Sequence, residues 1–485
     1  MFIRLLCLLL LLVCPPALAQ QPAYKDFDVD SVAVPHGGIA FLNTYLQTNL
    51  RKPIAAEAEG LGGRVIISSV IEPDGSVSDV SVLKSLRPDM DQEAIRVFSL
   101  FRAWKPALKG GKAVRQQMNI PITFAKNEPF VYQNESKILY FDAKLEPLAD
   151  SARAQYKQIT PINVTRLPTG DIVLYERKDK SWKLINRFPI TRKLKSYKTA
   201  TGKWVHLTGH QNANVQWESI LVATDEDGNR VRQAYYQNGK RVGEELYYHP
   251  NGVVSRKAET FDTKEAVTSW YPNGQIRKIS TGVSERKIGT DIPEQVIAFW
   301  DSTGRQLVDK GNGRAILVER RESYADTSVY TTFTEEGSYK DGLKHGDWIG
   351  RYADNSYSYE EKYVDGVLKE GQTRTGQADV VRYTVLEQQP EFPGGMAGLG
   401  NFLSENLSYP VSAQKEGIQG KVFVSFVVCT DGSLCDYEVM KGVHPDVDKE
   451  ALRVVRKMSG RWKPGVQRGK KVRVKYNLPI NFSLY

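Results

Sequence analysis

Residues 421–440 read Lys421-Val422-Phe423-Val424-Ser425-Phe426-Val427-Val428, then Cys429-Thr430-Asp431-Gly432-Ser433, then Leu434-Cys435-Asp436-Tyr437-Glu438-Val439-Met440. The first block alternates as a strand, Asp431-Gly432 supplies the turn, and the third block returns antiparallel. Helical spacing flanks this hairpin on both sides. Leu399 to Leu407 forms a short amphipathic helix closed by Tyr409-Pro410. Asp446 to Met458 forms a second, with Val447, Ala451, Leu452, Val454 and Val455 on its apolar face. Val472 to Phe482 reads as a final strand. The order helix, strand, strand, helix, strand predicts an α+β module, two helices on a three-stranded antiparallel sheet.

The chain carries this module twice. Residues 35–124 align with 392–482 at an offset of 357, with one extra residue in the second copy after its helix. Val65-Ile66-Ile67-Ser68 answers Val422-Phe423-Val424-Ser425, and Asp74-Gly75-Ser76 answers Asp431-Gly432-Ser433. Trp104-Lys105-Pro106 answers Trp462-Lys463-Pro464, and Asn119-Ile120-Pro121-Ile122 answers Asn477-Leu478-Pro479-Ile480. A repeat of about 90 residues is long enough to hold its own core.

Pro479, like Pro121, interrupts an otherwise regular strand. Proline cannot donate to a ladder, so the strand belongs at a sheet edge with its nitrogen side unpaired. An exposed edge invites pairing, and one made twice suggests use. The expected use is addition of an extended peptide beside Val472, Arg473, Val474, Lys475, Tyr476, Asn477 and Leu478.

The run Pro390-Glu391-Phe392-Pro393-Gly394-Gly395, with Tyr409-Pro410, Gly417-Ile418-Gln419-Gly420-Lys421-Val422, Asp431-Gly432-Ser433, Trp462-Lys463-Pro464-Gly465 and Leu478-Pro479-Ile480-Asn481-Phe482, resembles the C-terminal domain of TonB energy transducers, in its Bacteroidetes-type form. The likeness spans residues 390–482; the first copy has His36-Gly37-Gly38 where the family has Pro-Gly-Gly. The resemblance implies a periplasmic domain whose last strand pairs with the N-terminal TonB-box peptide of an outer-membrane transporter and passes force to it. Two family features are missing: the uncleaved N-terminal helix that engages the motor and the Pro-rich spacer. Peptide binding is therefore better supported than energy transduction.

The N-terminus points to export. Arg4, the apolar run Leu5 to Val13, Pro15-Pro16 and Ala17-Leu18-Ala19 have the layout of a cleaved signal peptide over residues 1–19. Membrane attachment is expected only if that segment is retained. Export places the protein in the periplasm and leaves Cys429 and Cys435, which flank the hairpin turn. A type I turn with a Gly bulge pairs Cys429 with Ser433 and sets Cys435 diagonally on the same face. That spacing lies near the upper limit for a disulfide, while an oxidising compartment favours the bond over two free thiols. Closing so small a loop would contribute only about 2 kcal/mol, a local brace.

The formal charge is +10 over 485 residues. Ten Lys or Arg and no acid lie between Arg453 and Lys475, a basic edge suited to an acidic peptide or an anionic envelope polymer, or simply a solvated face. Nucleic acid does not suit an exported chain.

Between the copies, residues 129–230 read as a β-rich region, with a hairpin around Lys178-Asp179-Lys180. From 231 to 371 an aromatic followed by a turn dipeptide recurs: Tyr236-Gln237-Asn238-Gly239, Tyr248-His249-Pro250-Asn251-Gly252, Tyr271-Pro272-Asn273-Gly274, Tyr339-Lys340-Asp341-Gly342 and Tyr363-Val364-Asp365-Gly366, with Trp300-Asp301-Ser302-Thr303-Gly304 as a degenerate member. The motifs resemble MORN repeats and predict stacked hairpins serving as a spacer or a contact surface. Residues 372–389 read as a linker into the last domain, 390–485, and the first module occupies 20–128.

Catalytic signatures are missing. His206 and His210 have the four-residue spacing of a helical metal pair but fall in a strand pattern, so no metal, cofactor or enzymatic activity is expected. Two classes of function remain: capture of transporter peptides in energy-dependent transmembrane transport, or a structural envelope protein that holds peptidoglycan or a surface partner.

Overall fold

The structure, a computed structural model, describes residues 22–199, 201–261, 264–283 and 294–484. The expected signal segment lies outside the described residues. The chain folds as two compact units, one built on residues up to Ile279 with Trp300–Arg305, the other on Ser280–Phe299 with Gln306–Tyr485. Each unit holds one copy of the duplicated module and part of the hairpin array. The chain is mostly β, because the hairpins occupy far more of its length than the two helical modules.

In the second unit the hairpin strands are Gly420–Val428 and Leu434–Lys441, and the closing strand is Val474–Phe482. Gly420–Val428 is central in the three-stranded sheet, with the other two at its edges. Helices Gly395–Asn406 and Pro445–Arg456 are joined by a five-residue helix, Val411–Lys415, which the apolar spacing does not foretell. Val422, Val424, Phe426, Val454, Val455 and Leu478 form the core. Each large apolar side chain so buried contributes roughly 1.5–3 kcal/mol. The first unit repeats this plan with sheet order Val77–Lys84, Gly63–Ile71, Gln116–Phe124 and helices Ile39–Asn49, Ile54–Ala58 and Pro88–Ser99.

One contact explains why the Asp-Gly-Ser turn and the Trp-Lys-Pro segment persist together in both copies. The turn closes with Cys429 N–H donating to Ser433 O at 2.8 Å and Gly432 N–H to Cys429 O at 3.0 Å. Gly432 has φ of 84°, and a Cβ there would stand 2.2 Å from the Trp462 carbonyl oxygen. At Gly75 the same atom would stand 2.4 Å from the Trp104 oxygen. Only glycine allows the turn to seat on the segment that brings the tryptophan into the core.

The final strand begins later than its pattern suggests. Lys470–Val472 pairs instead with Gly465–Gln467, and the latter pairs with Glu387–Gln388. Val472 therefore belongs to a separate small hairpin. The expected linker is also ordered: Val381–Tyr383 pairs antiparallel with Val367–Thr375, because Tyr383 buries its ring on Gly371.

Hairpins fill the rest of each unit. Ile172–Lys178 and Ser181–Phe188 meet at Lys178 and Ser181 around a two-residue turn. In the first unit, strands from Ile190–Lys198 to Lys264–Trp270 pair antiparallel in chain order. In the second, strands from Gln306–Asp309 to Val381–Tyr383 do the same. Asn238-Gly239, Asp341-Gly342 and Asp365-Gly366 all adopt positive φ, as two-residue hairpin turns require.

Three turns of the first unit carry the first module. Arg51 Nη2 donates to Gly252 O at 2.9 Å, and Val254 N–H donates to the Asn49 side chain at 2.7 Å. Arg102 N–H donates to Asn273 O at 2.8 Å. Phe41 meets Trp300 edge-on at 5.0 Å, and His36 packs on Gly304. His36 thus has a packing role at the position where the family pattern has proline.

A Cβ at Gly274 (φ 87°) would lie 2.8 Å from both Phe101 and Tyr45, whereas Gly228 (φ 81°) has open space. Gly228→Ala should cost about 1 kcal/mol from backbone strain alone. Gly274→Ala should add an overpacking penalty of about 1–3 kcal/mol. Chemical denaturation of the two full-length variants measures the difference; equal losses would refute the docking contact.

Candidate functional site

Val474–Phe482 pairs along its whole length with Gly420–Val428, Val474 opposite Val428 and Phe482 opposite Gly420. Leu478, Ile480 and Phe482 are buried, while Lys475, Asn477, Pro479 and Asn481 are exposed. Tyr476 is half-buried, its ring stacked on Phe426 at 5.6 Å and tilted against Trp462 at 5.0 Å. Of the seven residues expected along the binding edge, Val474 through Leu478 share this strand. Val472 lies in the neighbouring hairpin, and Arg473 joins the two.

In an antiparallel ladder, successive residues alternate between exchanging bonds with the neighbour and pointing both groups outward. The first module reveals the phase. Tyr24 N–H donates to Arg115 O at 2.9 Å, and Gln117 N–H donates to Tyr24 O at 2.8 Å. Arg115 and Gln117 therefore face away from their sheet, and alternation extends this to Asn119 and Pro121. Past the extra residue the offset between copies is 358, so the outward set in the second module is Arg473, Lys475, Asn477 and Pro479. A proline at an outward position removes no ladder bond.

The two edges differ in occupancy. In the first module the segment around Tyr24 seals the start of the edge. Buried Gln116 fastens it, accepting from Ala33 N–H at 2.6 Å and donating to Asp26 at 2.7 Å. In the second module, among the described residues, the main chains of Lys475 and Asn477 have no partner outside their own sheet.

Beside the edge the copies also differ in chemistry. Arg115 donates to both oxygens of Glu72 at 3.0 Å and to Asp79 at 3.1 Å, and Ser78 donates to Glu72. The corresponding residues of the second copy are Arg473, Cys429, Asp436 and Cys435. Asp79 and Asp436 both adopt positive φ, 49° and 52°, at a bulge in their strands. Arg473 reaches Asp436 at 2.7 Å and Cys435 Sγ at 3.4 Å. Cys429 and Cys435 are half-buried free thiols, and their mutual hydrogen bond pushes the Cys435 thiol up. The Arg–Asp pair escaped the sequence reading, although its recurrence at the duplication offset was a visible signal.

The basic run Arg453–Lys475 is not a free basic edge; most of it is engaged internally. Arg453 bonds Glu450, Arg461 covers the Phe402 ring, and Lys463 pairs with Glu391. Lys470 bonds Thr375 and lies over the Tyr324 and Tyr357 rings. Arg468 is the anchor. It pairs with Glu361 at 2.6 Å and stacks 3.8 Å from the Tyr359 centroid, and the Glu361 side chain is fully buried. Tyr383 and Tyr363 donate to the same carboxylate at 2.7 and 3.0 Å. Arg468 is held firmly protonated: Glu361 bonds it and raises its pKa against the opposing effect of burial.

The histidine pair is structural. His210 is fully buried with Nε2 2.9 Å from Gly170 O, and His206 Nδ1 accepts from Lys195 N–H at 3.1 Å. Among the described residues no cluster has the composition of a metal site.

Residues 49–125 and 405–484 each match the family model described as Gram-negative bacterial TonB protein C-terminal. Two solution structures of the Helicobacter pylori TonB C-terminal domain are similar to part of the chain. One is 27% identical and covers 19% of this chain and 80% of that one, with a TM-score of 0.16. The other is 28% identical and covers 18% and 91%, with a TM-score of 0.15. No curated protein matches the chain.

Truncating Glu361 should strand Arg468 and two tyrosine hydroxyls. Removing one partner of a buried pair costs about 3–5 kcal/mol, so Glu361→Ala should lower the unfolding free energy by that amount. Replacing both residues, Glu361→Met with Arg468→Met, should recover the part of the loss due to the stranded guanidinium, while the two tyrosine hydroxyls stay unpaired. Urea denaturation of the full chain tests this; a loss under ~1 kcal/mol for Glu361→Ala would match an exposed pair instead.

Proposed function

We propose that the second of the chain's two TonB C-terminal-type modules captures an extended peptide by strand addition along Arg473–Asn481. TonB-family proteins are envelope-associated and act in energising transport. In the proposed reading the partner is the N-terminal peptide of an outer-membrane transporter, met in the periplasm. The hairpin array serves as the scaffold on which each module is mounted.

One observation carries the reading. In the first module the edge already accepts a bridge residue, Tyr24, through two main-chain bonds. The second module offers the same outward groups with nothing upon them among the described residues. A peptide there would gain ladder bonds at Lys475 and Asn477 and meet the exposed faces of Asn477, Pro479 and Asn481. Arg473 and Lys475 are held by Asp436 and Glu438, exposed pairs that position more than they attract. Recognition therefore rests on the main chain rather than on a charged edge.

The edge phase also identifies the informative substitution. Val474 faces its own sheet, so Val474→Pro would break the fold's ladder as well as any added one. Asn477→Pro removes an outward N–H alone. It should leave the melting temperature near that of the wild type while weakening a transporter N-terminal peptide about tenfold, the equivalent of one lost hydrogen bond. Fluorescence anisotropy with a labelled peptide measures the affinity, and Asn119→Pro in the first module should leave it unchanged. The reading fails if the wild-type chain binds no such peptide at millimolar concentration, or if Asn477→Pro binds it equally well.

A further inference from the structure

The first unit contains a cavity of about 690 Å³ where the first module meets three loops of the β region. Cations converge on it from three distant parts of the chain: Arg51, Lys52 and Arg96 from the module, Arg166 from a turn, Arg230 from the array. Only Asp89 and Glu93 line it with negative charge. Both are already committed, Asp89 to Arg87 at 2.9 Å and Glu93 to Arg96 at 2.6 Å. Glu57, nearby, is committed to Arg166.

The side chains of Arg51, Lys52 and Arg230 bond no carboxylate among the described residues. Arg51 donates to the Gly252 carbonyl at 2.9 Å and lies 5.2 Å from the Tyr248 centroid. Arg230 donates to the Gln233 side chain and to Thr165 O at 2.6 Å. Lys52 donates to Ala125 O at 3.0 Å and to the Asn127 side chain. These neutral acceptors fix the side chains without cancelling their charge. Burial lowers the pKa of Arg51, with Arg96 and Arg230 adding to the effect. A partly buried cation among cations is unfavourable unless an anion joins it.

The duplication provides an internal control. Arg51 N–H donates to Glu93 at 2.5 Å, and at the matching place Ser408 N–H donates to Glu450 at 2.7 Å. The Glu93–Arg96 pair likewise recurs as Glu450–Arg453. The module fold therefore needs the backbone at position 51 and the pair behind it, but not the Arg51 guanidinium, which the second copy replaces with serine.

We propose that this cavity binds a small ligand bearing at least two oxyanion groups, carboxylate or phosphate, between Arg51 and Arg230. Guanidinium groups suit this task because their planar donors match both oxyanions in two-point contact. The volume admits a ligand of metabolite size. The same chemistry is presented by free anions, by the carboxylates of soluble cell-wall peptides and by lipid headgroups that carry two phosphates.

Isothermal titration of the full chain with pyrophosphate and with citrate tests the site. Saturable binding of one equivalent of either is expected, weakened at least tenfold by Arg51→Ser and by Arg230→Gln. Arg51→Ser also gives up the Gly252 contact and should melt somewhat lower, so Arg230→Gln, which leaves that contact in place, supplies the independent variant. Competition by soluble muropeptides or by cardiolipin vesicles, whose headgroup carries two phosphates, assigns the source, and competition by neither assigns a free anion. The proposal is overturned if neither probe binds saturably, or if both variants bind as the wild type does.

Discussion

A proline within a strand requires one side of that strand to go without a ladder neighbour, and much of this chain is organised around that requirement. Pro121 and Pro479 place their strands at a sheet edge and set which residues face outward. The central strand of each module follows from the same constraint, because only the opposite side of the closing strand remains for pairing. The phase of the alternation then puts Leu478, Ile480 and Phe482 into the core and leaves the polar residues outside.

From identical beginnings the two copies have taken different work. The first uses its helix Ile39–Asn49 and the residues after it to grip the turns at Gly252, Gly274 and Gly304, and its edge start is covered by Tyr24. The second uses the hairpin tip at Arg468 to grip the array and leaves its closing strand uncovered. Both attachments exploit the same resource: hairpin arrays expose rows of glycine turns and aromatic side chains to which an adjoining domain can fit closely. The glycines that the turns need for positive φ also leave room for Tyr45, Phe101 and His36.

The duplicated modules were legible because their signals are local. Strand alternation, the Asp-Gly-Ser turn and the helix between Asp446 and Met458 each depend on neighbours in sequence. Strand ends were less legible. Val472 continues the alternating pattern, and only its pairing with Gly465 assigns it elsewhere. The same holds for Val381–Tyr383, whose polar surroundings resemble a linker until Tyr383 finds Glu361. The basic run was legible only in part. Charge is visible in composition, but whether an arginine is free depends on partners such as Glu361, 107 residues from Arg468. The polarity of the edge lay between these extremes: proline announced it, and Tyr24 was needed to read it.

Tyr24 has a kinetic consequence as well. A segment tethered to its own acceptor competes at an effective concentration in the millimolar range, about that of short flexible linkers. A free peptide that binds such an edge only weakly would be outcompeted at the first module by its own chain. Two related edges in one polypeptide would thereby offer a free peptide a single open acceptor.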